Sequence, residues 1–127
     1  MPEKKQLINF GHYLSRTARE QLDLRWGKDN WTESNYPVKI NFYNDIPQQI
    51  ADVFSHIKET LTPELKDSTY VVLPGINIGV LAVCTTLIKL FGDVPQVIIF
   101  RKNPENPVEY IVKDIIQIGI AETKVVS

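Results

Sequence analysis

The chain has few of the residues that crosslink small domains or hold metal ions. Its 127 residues include one cysteine, Cys84, two histidines and one methionine. A single cysteine excludes an intrachain disulfide and any metal site with several cysteine ligands. The sequence also contains no HExxH or comparable metal motif. We therefore expect a fold that is stabilised by its hydrophobic core, with no bound metal and no cofactor.

Long apolar segments are missing too. The longest one, residues 78–91, contains two threonines and Lys89, and it is shorter than the roughly 20 residues that span a bilayer. Near the start, only Leu7 and Ile8 precede the polar Asn9, which is too short for the apolar centre of a signal peptide. These features favour a cytoplasmic protein with no membrane partner.

The charges show no excess of one sign. There are 14 Lys and Arg residues against 15 Asp and Glu residues, a net charge of -1. A protein that holds long nucleic acid through many phosphates needs a strong basic excess, so that class is excluded. A hydrophobic content of 43% and a charged content of 23% are typical of a folded soluble protein. The length predicts a single domain over residues 1–127.

Short apolar segments alternate with helical patterns along the chain. Strands are predicted at residues 6–10, 37–43, 68–73, 96–101 and 110–118, the last as one strand or two. Helices are predicted at residues 17–26, 46–61 and 77–90, and residues 27–36 are predicted as a loop. The order βαβαβαββ is typical of a Rossmann-like α/β fold, in which helices flank a mostly parallel sheet.

Particular side chains mark the predicted helix ends. Thr17 and Glu20 have the spacing of a capping box. Asp45 precedes the second helix as a cap, and Gly92 follows the third helix where a left-handed residue belongs. The second helix is predicted to end at residues 62–63, a Thr-Pro pair.

In sheets of this kind, ligands bind beyond the carboxyl ends of the strands. The prediction places residues 9–16, 44–45, 74–79 and 101–103 at that edge. The candidate ligand-binding residues come from three of these segments: Asn9, Gly11, His12, Ser15, Arg16, Pro74, Gly75, Asn77, Gly79, Arg101 and Lys102.

The segment 74–79 joins a buried strand to a buried helix. Gly75 and Gly79 would let backbone N–H groups approach a phosphate or a ribose at the start of the helix. The segment lacks the GK[ST] ending of a P-loop and the third glycine of GxGxxG. In the structural interpretation, which stays open, Gly75 forms a turn, Asn77 caps the helix and Gly79 permits close packing.

The segment 11–16 offers an imidazole, a phenol, a hydroxyl and a guanidinium close to a second helix start. Arg16 could donate two hydrogen bonds to one phosphate. Alternatively Ser15 caps the helix, Tyr13 and Leu14 pack, and His12 and Arg16 are merely solvated. The sequence shows no nucleophile with a base and an orienting group, so any reaction would depend on a nucleophile of the ligand.

Several segments together resemble a known family. These are LINFGHYLS at 7–15, VVLPGIN at 71–77, LFGDVP at 90–95 and the strand ending in Phe100 and Arg101. They resemble the small stand-alone Csx-type proteins of type III CRISPR loci. Those proteins are similar to CARF (CRISPR-associated Rossmann fold) domains, which bind cyclic oligoadenylate messengers. Some relatives are ring nucleases that cleave the ring.

The resemblance implies a function and an assembly. A CARF-like domain would bind cyclic tetra-adenylate as a homodimer, or as a higher ligand-linked assembly, and would lower the free concentration of the messenger by sequestration. One alternative is a metal-independent ring nuclease, in which a ribose 2′-hydroxyl attacks the neighbouring phosphate. His12 would then act as acid or base, and Arg16, Arg101 or Lys102 would stabilise charge. A further alternative is a non-enzymatic scaffold.

Overall fold

The computed structural model of the protein describes residues 4–61 and 67–117. The elements in chain order are β1 (Lys5–Asn9), α1 (Arg16–Trp26), β2 (Trp31–Asn35), α2 (Ile46–Thr60), β3 (Thr69–Val72), α3 (Asn77–Phe91), β4 (Gln96–Asn103) and β5 (Asn106–Ile116). This confirms the predicted order βαβαβαββ. The predicted helix end at residues 62–63 and residue 118 of the last predicted strand lie outside the described residues.

The five strands form one sheet in the order β2-β1-β3-β4-β5. The first four are parallel, and β5 runs antiparallel beside β4. The prediction of an α/β fold with a mostly parallel, helix-flanked sheet is confirmed. From β1 the chain moves outward to β2 and then returns past β1 to β3, so its direction reverses between β1 and β3. The carboxyl ends of these two strands border the crevice where doubly wound sheets bind ligands.

Alternate residues of the strands pack into separate cores on the two faces of the sheet. Leu7 packs against Leu22 and the rest of the α1 face, whereas its neighbour Ile8 packs against Val83 and Leu87 on the α2–α3 face. This separation follows from the two-residue repeat of a strand. Each fully buried Leu or Val contributes about 1.5–3 kcal/mol.

The hairpin of β4 and β5 extends past the end of β3. β4 pairs with β3 through Gln96 and Val97, whereas its pairing with β5 continues to Asn103. At about 3.3 Å per residue, the hairpin reaches about 16 Å beyond the level of Val72, where β3 ends. It forms a wall at the carboxyl edge of the sheet.

The second strand is not where the sequence predicts it. β2 occupies Trp31–Asn35, so the prediction of a loop at 27–36 is wrong there. Residues 37–43, predicted as a strand, form a loop that contains a turn. In this loop the half-buried Val38 packs against the α2–α3 core and Ile40 is buried, whereas Phe42 is exposed. Residues 44–45 therefore follow a loop and lie before α2.

Polar contacts to α1 hold β2 at the edge of the sheet. Arg19 forms a two-pronged ion pair with Glu33, and the indole Nε1 of Trp31 donates to Asp23 across 2.8 Å. Trp31 also packs edge-on against Trp26. A strand held in this way needs no apolar alternation, which explains why periodicity does not reveal it.

The helix ends correct two of the predicted caps. Ser15, not Thr17, caps α1, because its Oγ accepts the N–H of Ala18 at 3.1 Å. Asn77 is the first residue of α3 and makes no capping hydrogen bond, so the capping role in the structural interpretation of 74–79 is wrong. The other two caps are confirmed. Asp45 accepts the N–H of Gln48 before α2, and Gly92 closes α3 with φ 78°.

Within the described ranges 4–61 and 67–117, we find no helix whose length and apolar character would let it cross a membrane.

Candidate functional site

A cavity of about 590 Å³ opens at the carboxyl edge of the sheet, between the ends of β1 and β3. We call it the rim pocket. Its lining comes from the loop 11–16, from Val72, Leu73 and Gly75 at the end of β3, and from the hairpin residues Phe100, Asn106, Val108, Glu109 and Tyr110. Its volume lies in the range of small-molecule sites, about 300–1,000 Å³. Its position is the one that the strand order favours for a ligand.

Asn9 shapes the loop under the pocket. Its side chain is fully buried. Its Oδ1 accepts the N–H of Gly11 at 2.9 Å, and its Nδ2 donates to the carbonyl of His12 at 2.8 Å. Asn9 therefore fixes the path of the loop and does not line the pocket. Asn9, predicted to bind the ligand, instead holds the loop that lines the pocket.

Gly11 lets the β1 loop pass close to the end of β3. A Cβ atom at Gly11 would lie 2.8 Å from the carbonyl oxygen of Leu73. Real Cβ atoms do not approach backbone oxygens so closely, so any side chain would push the two strand ends apart. Glycine at this position brings the two loops of the crevice together.

Ser15 joins α1 to the hairpin. Its Oγ caps α1, and the same hydroxyl donates to the carbonyl oxygen of Tyr110 across 2.6 Å. A second contact nearby comes from Gln21, whose side-chain oxygen accepts the N–H of Val112 at 2.8 Å. These bonds satisfy backbone groups of an edge strand, and they hold the hairpin wall against the start of α1.

Arg16 and His12 are the basic side chains of the pocket lining, and both are exposed. The Nε of Arg16 lies 3.1 Å from Glu20 Oε1, in an ion pair whose side chains are 92% and 60% exposed. Exposed pairs of this type stabilise a protein by less than about 1 kcal/mol. A phosphate could therefore draw Arg16 away from Glu20 at small cost.

Glu109 is the residue of the pocket that sequence reasoning missed. Its carboxylate lies at the start of α1, where Oε1 accepts the N–H of Thr17 at 3.2 Å and Oε2 accepts from Asn106 Nδ2 at 3.3 Å. Hydrogen bonds from the Thr17 side chain, and further ones from the Thr17 backbone and Asn106, hold the pKa of Glu109 below its ordinary value, against the opposing effect of desolvation. The helix start that the sequence assigned to a ligand anion thus already holds a carboxylate.

The segment 74–79 reaches the pocket through Gly75 alone. Pro74 and Gly79 are buried, and a Cβ at Gly79 would lie 3.2 Å from both Pro74 and Val38. Gly79 therefore serves close packing. Asn77 is exposed at the first position of α3 and lies outside the lining.

Arg101 and Lys102 were expected to end the fourth strand at the ligand-binding edge of the sheet. That placement is wrong, because β4 continues to Asn103 as one arm of the hairpin. Both side chains are exposed and neither lines the pocket. Phe100 packs toward α1, so alternation places Arg101 on the opposite face of the hairpin. Lys102 shares the face of Phe100 and lies opposite Tyr110, next to the pocket lining.

Aromatic and apolar side chains form exposed walls of the pocket. Tyr13 is 73% exposed, Val108 89% and Tyr110 54%, and Phe100 lies between them and the core. Large apolar side chains that remain exposed around one cavity are typical of a binding surface. The sequence offered one signal for this, the short connection between the strands predicted at 96–101 and 110–118, which brings the second arm of the hairpin back to the site.

A second cavity of about 420 Å³ lies on the opposite face, between α2 and residues 35–39. Phe10 and Ile57 form its buried floor. The rings of Tyr36 and His56 meet edge to face at a centroid distance of 5.7 Å on its wall. We call it the α2 groove. His56 is not among the residues predicted to bind a ligand, and the prediction of a strand at 37–43 concealed the loop that forms this groove.

The described residues contain no group of three or more His, Cys, Asp or Glu side chains that could hold a metal ion. Burial raises the pKa of the Cys84 thiol, which keeps it in the less reactive protonated form at neutral pH. The lining of the rim pocket offers hydrogen-bonding groups, aromatic surface and a few charged side chains.

Comparisons of the chain with protein-family models, with curated proteins and with solved structures gave no match. The resemblance to Csx-type proteins stays a prediction from the sequence.

Proposed function

We propose that this protein binds a cyclic oligoadenylate, cyclic tetra-adenylate in the first place, in the cytoplasm during type III CRISPR signalling. By binding the cyclic oligoadenylate, the protein would lower the free concentration of this messenger. The observation that carries the proposal is the rim pocket itself. It lies at the crevice of the sheet, on the loop with the resemblance motif, and it combines aromatic walls with basic side chains.

The pocket offers the two kinds of contact that a nucleotide needs. Tyr13, Phe100 and Tyr110 present aromatic surface on which adenine could stack, and stacking of one base on an aromatic side chain is worth about 1–3 kcal/mol. Arg16 supplies a planar set of donors for a phosphate. A balanced net charge is no obstacle to such a ligand, because it carries few phosphates.

A cyclic tetranucleotide has two-fold symmetry and four phosphates. Two copies of the rim pocket related by a two-fold axis could therefore hold one ring. We propose a homodimer, or a higher assembly linked by the ligand, as the binding form. The exposed apolar side chains Tyr13, Val108 and Tyr110 lie at the pocket, where a second copy would meet the shared ligand.

Ring cleavage is the second candidate function. It would use the ribose 2′-hydroxyl as nucleophile and His12 as acid or base, and His12 does line the rim pocket. We favour sequestration because stacking and charge contacts suffice for binding. A scaffold without a ligand is the third possibility.

One experiment separates the three. Purified protein is titrated with labelled cyclic tetra-adenylate, and the label is followed over hours by chromatography, with the linear tetranucleotide as the matched control. Saturable binding of the ring without conversion supports sequestration. Conversion to a linear product supports a ring nuclease. Absence of both contradicts the proposal and leaves the scaffold.

A further inference from the structure

Glu109 puts a fixed negative charge inside the rim pocket. Its Oε1 is held by the N–H of Thr17 at 3.2 Å, which orients the carboxylate. Its Oε2 lies a long 3.3 Å from Asn106 Nδ2, and the Thr17 side chain also hydrogen-bonds to the carboxylate. A carboxylate oxygen accepts more than one hydrogen bond. The three contacts from Thr17 and Asn106 leave the carboxylate, which has about four acceptor sites, with capacity for a donor that comes from a ligand.

The charge of Glu109 limits which part of a nucleotide can approach it. The carboxylate would repel a ligand phosphate within hydrogen-bonding distance, because both groups are negatively charged. The donors of an adenine nucleotide are the base amino group and the ribose hydroxyls. In a ring of 3′–5′ linkages, each ribose keeps one hydroxyl, the 2′ group.

The hydroxyl is the better partner of the two donors. Beside the adenine amino group lie ring nitrogens that accept hydrogen bonds, and one of them would face the carboxylate and be repelled. A hydroxyl donates one proton and can turn its lone pairs away. The aromatic walls formed by Tyr13, Phe100 and Tyr110 leave stacking as the mode of contact for the base.

We propose that Glu109 accepts a hydrogen bond from the ribose 2′-hydroxyl of the bound nucleotide and thereby makes the pocket select ribonucleotides over deoxyribonucleotides. The inference rests on the proposed function, since it takes the ligand to be an oligoadenylate. It differs from two simpler roles of Glu109. In the first, the carboxylate only completes the start of α1, and in the second it competes with a ligand phosphate.

The test compares two ligands on three proteins. Calorimetry measures the affinity of cyclic tetra-adenylate and of its all-2′-deoxy analogue for wild type, Glu109→Gln and Glu105→Gln. Gln keeps an oxygen that can accept the Thr17 N–H, but it removes the charge and places an amide N–H₂ where Oε2 stands. Glu105 lies at the exposed tip of the same hairpin and does not line the pocket, so its variant controls for charge.

We expect wild type and Glu105→Gln to bind the ribose ring roughly tenfold or more tightly than the deoxy ring, the scale of one charge-assisted hydrogen bond. Glu109→Gln should lose most of that preference while its circular-dichroism spectrum stays that of the folded protein. Equal affinities of wild type for the two rings would overturn the inference without any variant. Tighter binding of both rings by Glu109→Gln would also overturn it, in favour of competition with phosphate. Failure of wild type to bind either ring would instead refute the proposed function, and the inference with it.

Discussion

The hydroxyl of Ser15 donates a hydrogen bond to the carbonyl oxygen of Tyr110 across 2.6 Å, although 95 residues separate them in the chain. The hydroxyl oxygen of Ser15 also accepts the N–H of Ala18 and thereby caps α1. One side chain thus starts the helix that covers one face of the sheet and fixes the hairpin that forms a wall of the rim pocket. The pocket exists because these two distant segments are joined.

Removal of that hydroxyl should destabilise the fold. We expect Ser15→Ala to lower the free energy of unfolding by about 1–2 kcal/mol, because it removes a helix cap and leaves the Tyr110 carbonyl without this donor. Ser15→Thr keeps the hydroxyl and is the matched control. Urea unfolding followed by circular dichroism measures both. An unchanged midpoint for the alanine variant would show that the hairpin does not depend on this contact.

Substitution by alanine should lower the stability of the protein at one glycine of the pocket and leave it nearly unchanged at another. Gly11→Ala places a Cβ atom 2.8 Å from the Leu73 carbonyl, so we expect a loss of about 1–3 kcal/mol in stability and weaker ligand binding. At Gly75 the new Cβ meets no atom within 4 Å, and the φ of Gly75 is not positive. Gly75→Ala should therefore leave the melting temperature nearly unchanged. Similar melting temperatures for the two variants would contradict the close approach of the β1 and β3 loops.

Arg16 should contribute to binding without contributing much to stability. We expect Arg16→Ala to weaken binding of cyclic tetra-adenylate by about 1–3 kcal/mol, as for a lost charge-assisted hydrogen bond. The exposed pair with Glu20 adds little to the fold, so the melting temperature should hardly move. Arg101→Ala removes the same charge on the opposite face of the hairpin and serves as the control. Equal losses of affinity in the two variants would place the ligand on a different surface.

Stability should depend on pH through Glu109. The folded state lowers the pKa of this carboxyl below its ordinary value of 4.5, so the folded protein binds fewer protons there than the unfolded chain. The contribution of Glu109 to stability is therefore complete above about pH 4.5 and is lost as the pH falls through the folded pKa. Urea unfolding at pH 7 and pH 3 should show a difference between wild type and Glu109→Gln that shrinks in acid. A difference that stays constant would mean that the contacts to Thr17 do not favour the ionised form.

The sequence predicts most of the elements because their apolar periodicity matches the structure. The helix at 46–61 and the β-rich segment at 68–73 have unmistakable patterns, and each becomes an element near its predicted bounds. β2 is the exception, since ion pairing by Glu33 and hydrogen bonding by Trp31 hold it to α1. The neighbouring loop at 37–43 has the apolar alternation of a strand, but its Val38 packs against the α2–α3 core.

The site was predicted in part, for a physical reason. The loop 11–16 follows a strand that was predicted within one residue of its observed ends, so its position at the carboxyl edge follows from topology. Glu109 reaches the same place only because the hairpin folds back onto α1, and no local pattern marks a contact between residues 92 positions apart. Arg101 and Lys102 were misplaced for the same reason, because nothing in the strand pattern shows that β4 continues beyond the edge of the sheet.

The central claim is that two rim pockets hold one cyclic tetra-adenylate ring. Isothermal titration of the wild-type protein with this ring measures affinity and stoichiometry together. The account predicts saturable binding with one ring for every two chains, and no such saturation with the linear tetranucleotide. The absence of saturable heat, or one ring bound by each single chain, would contradict it.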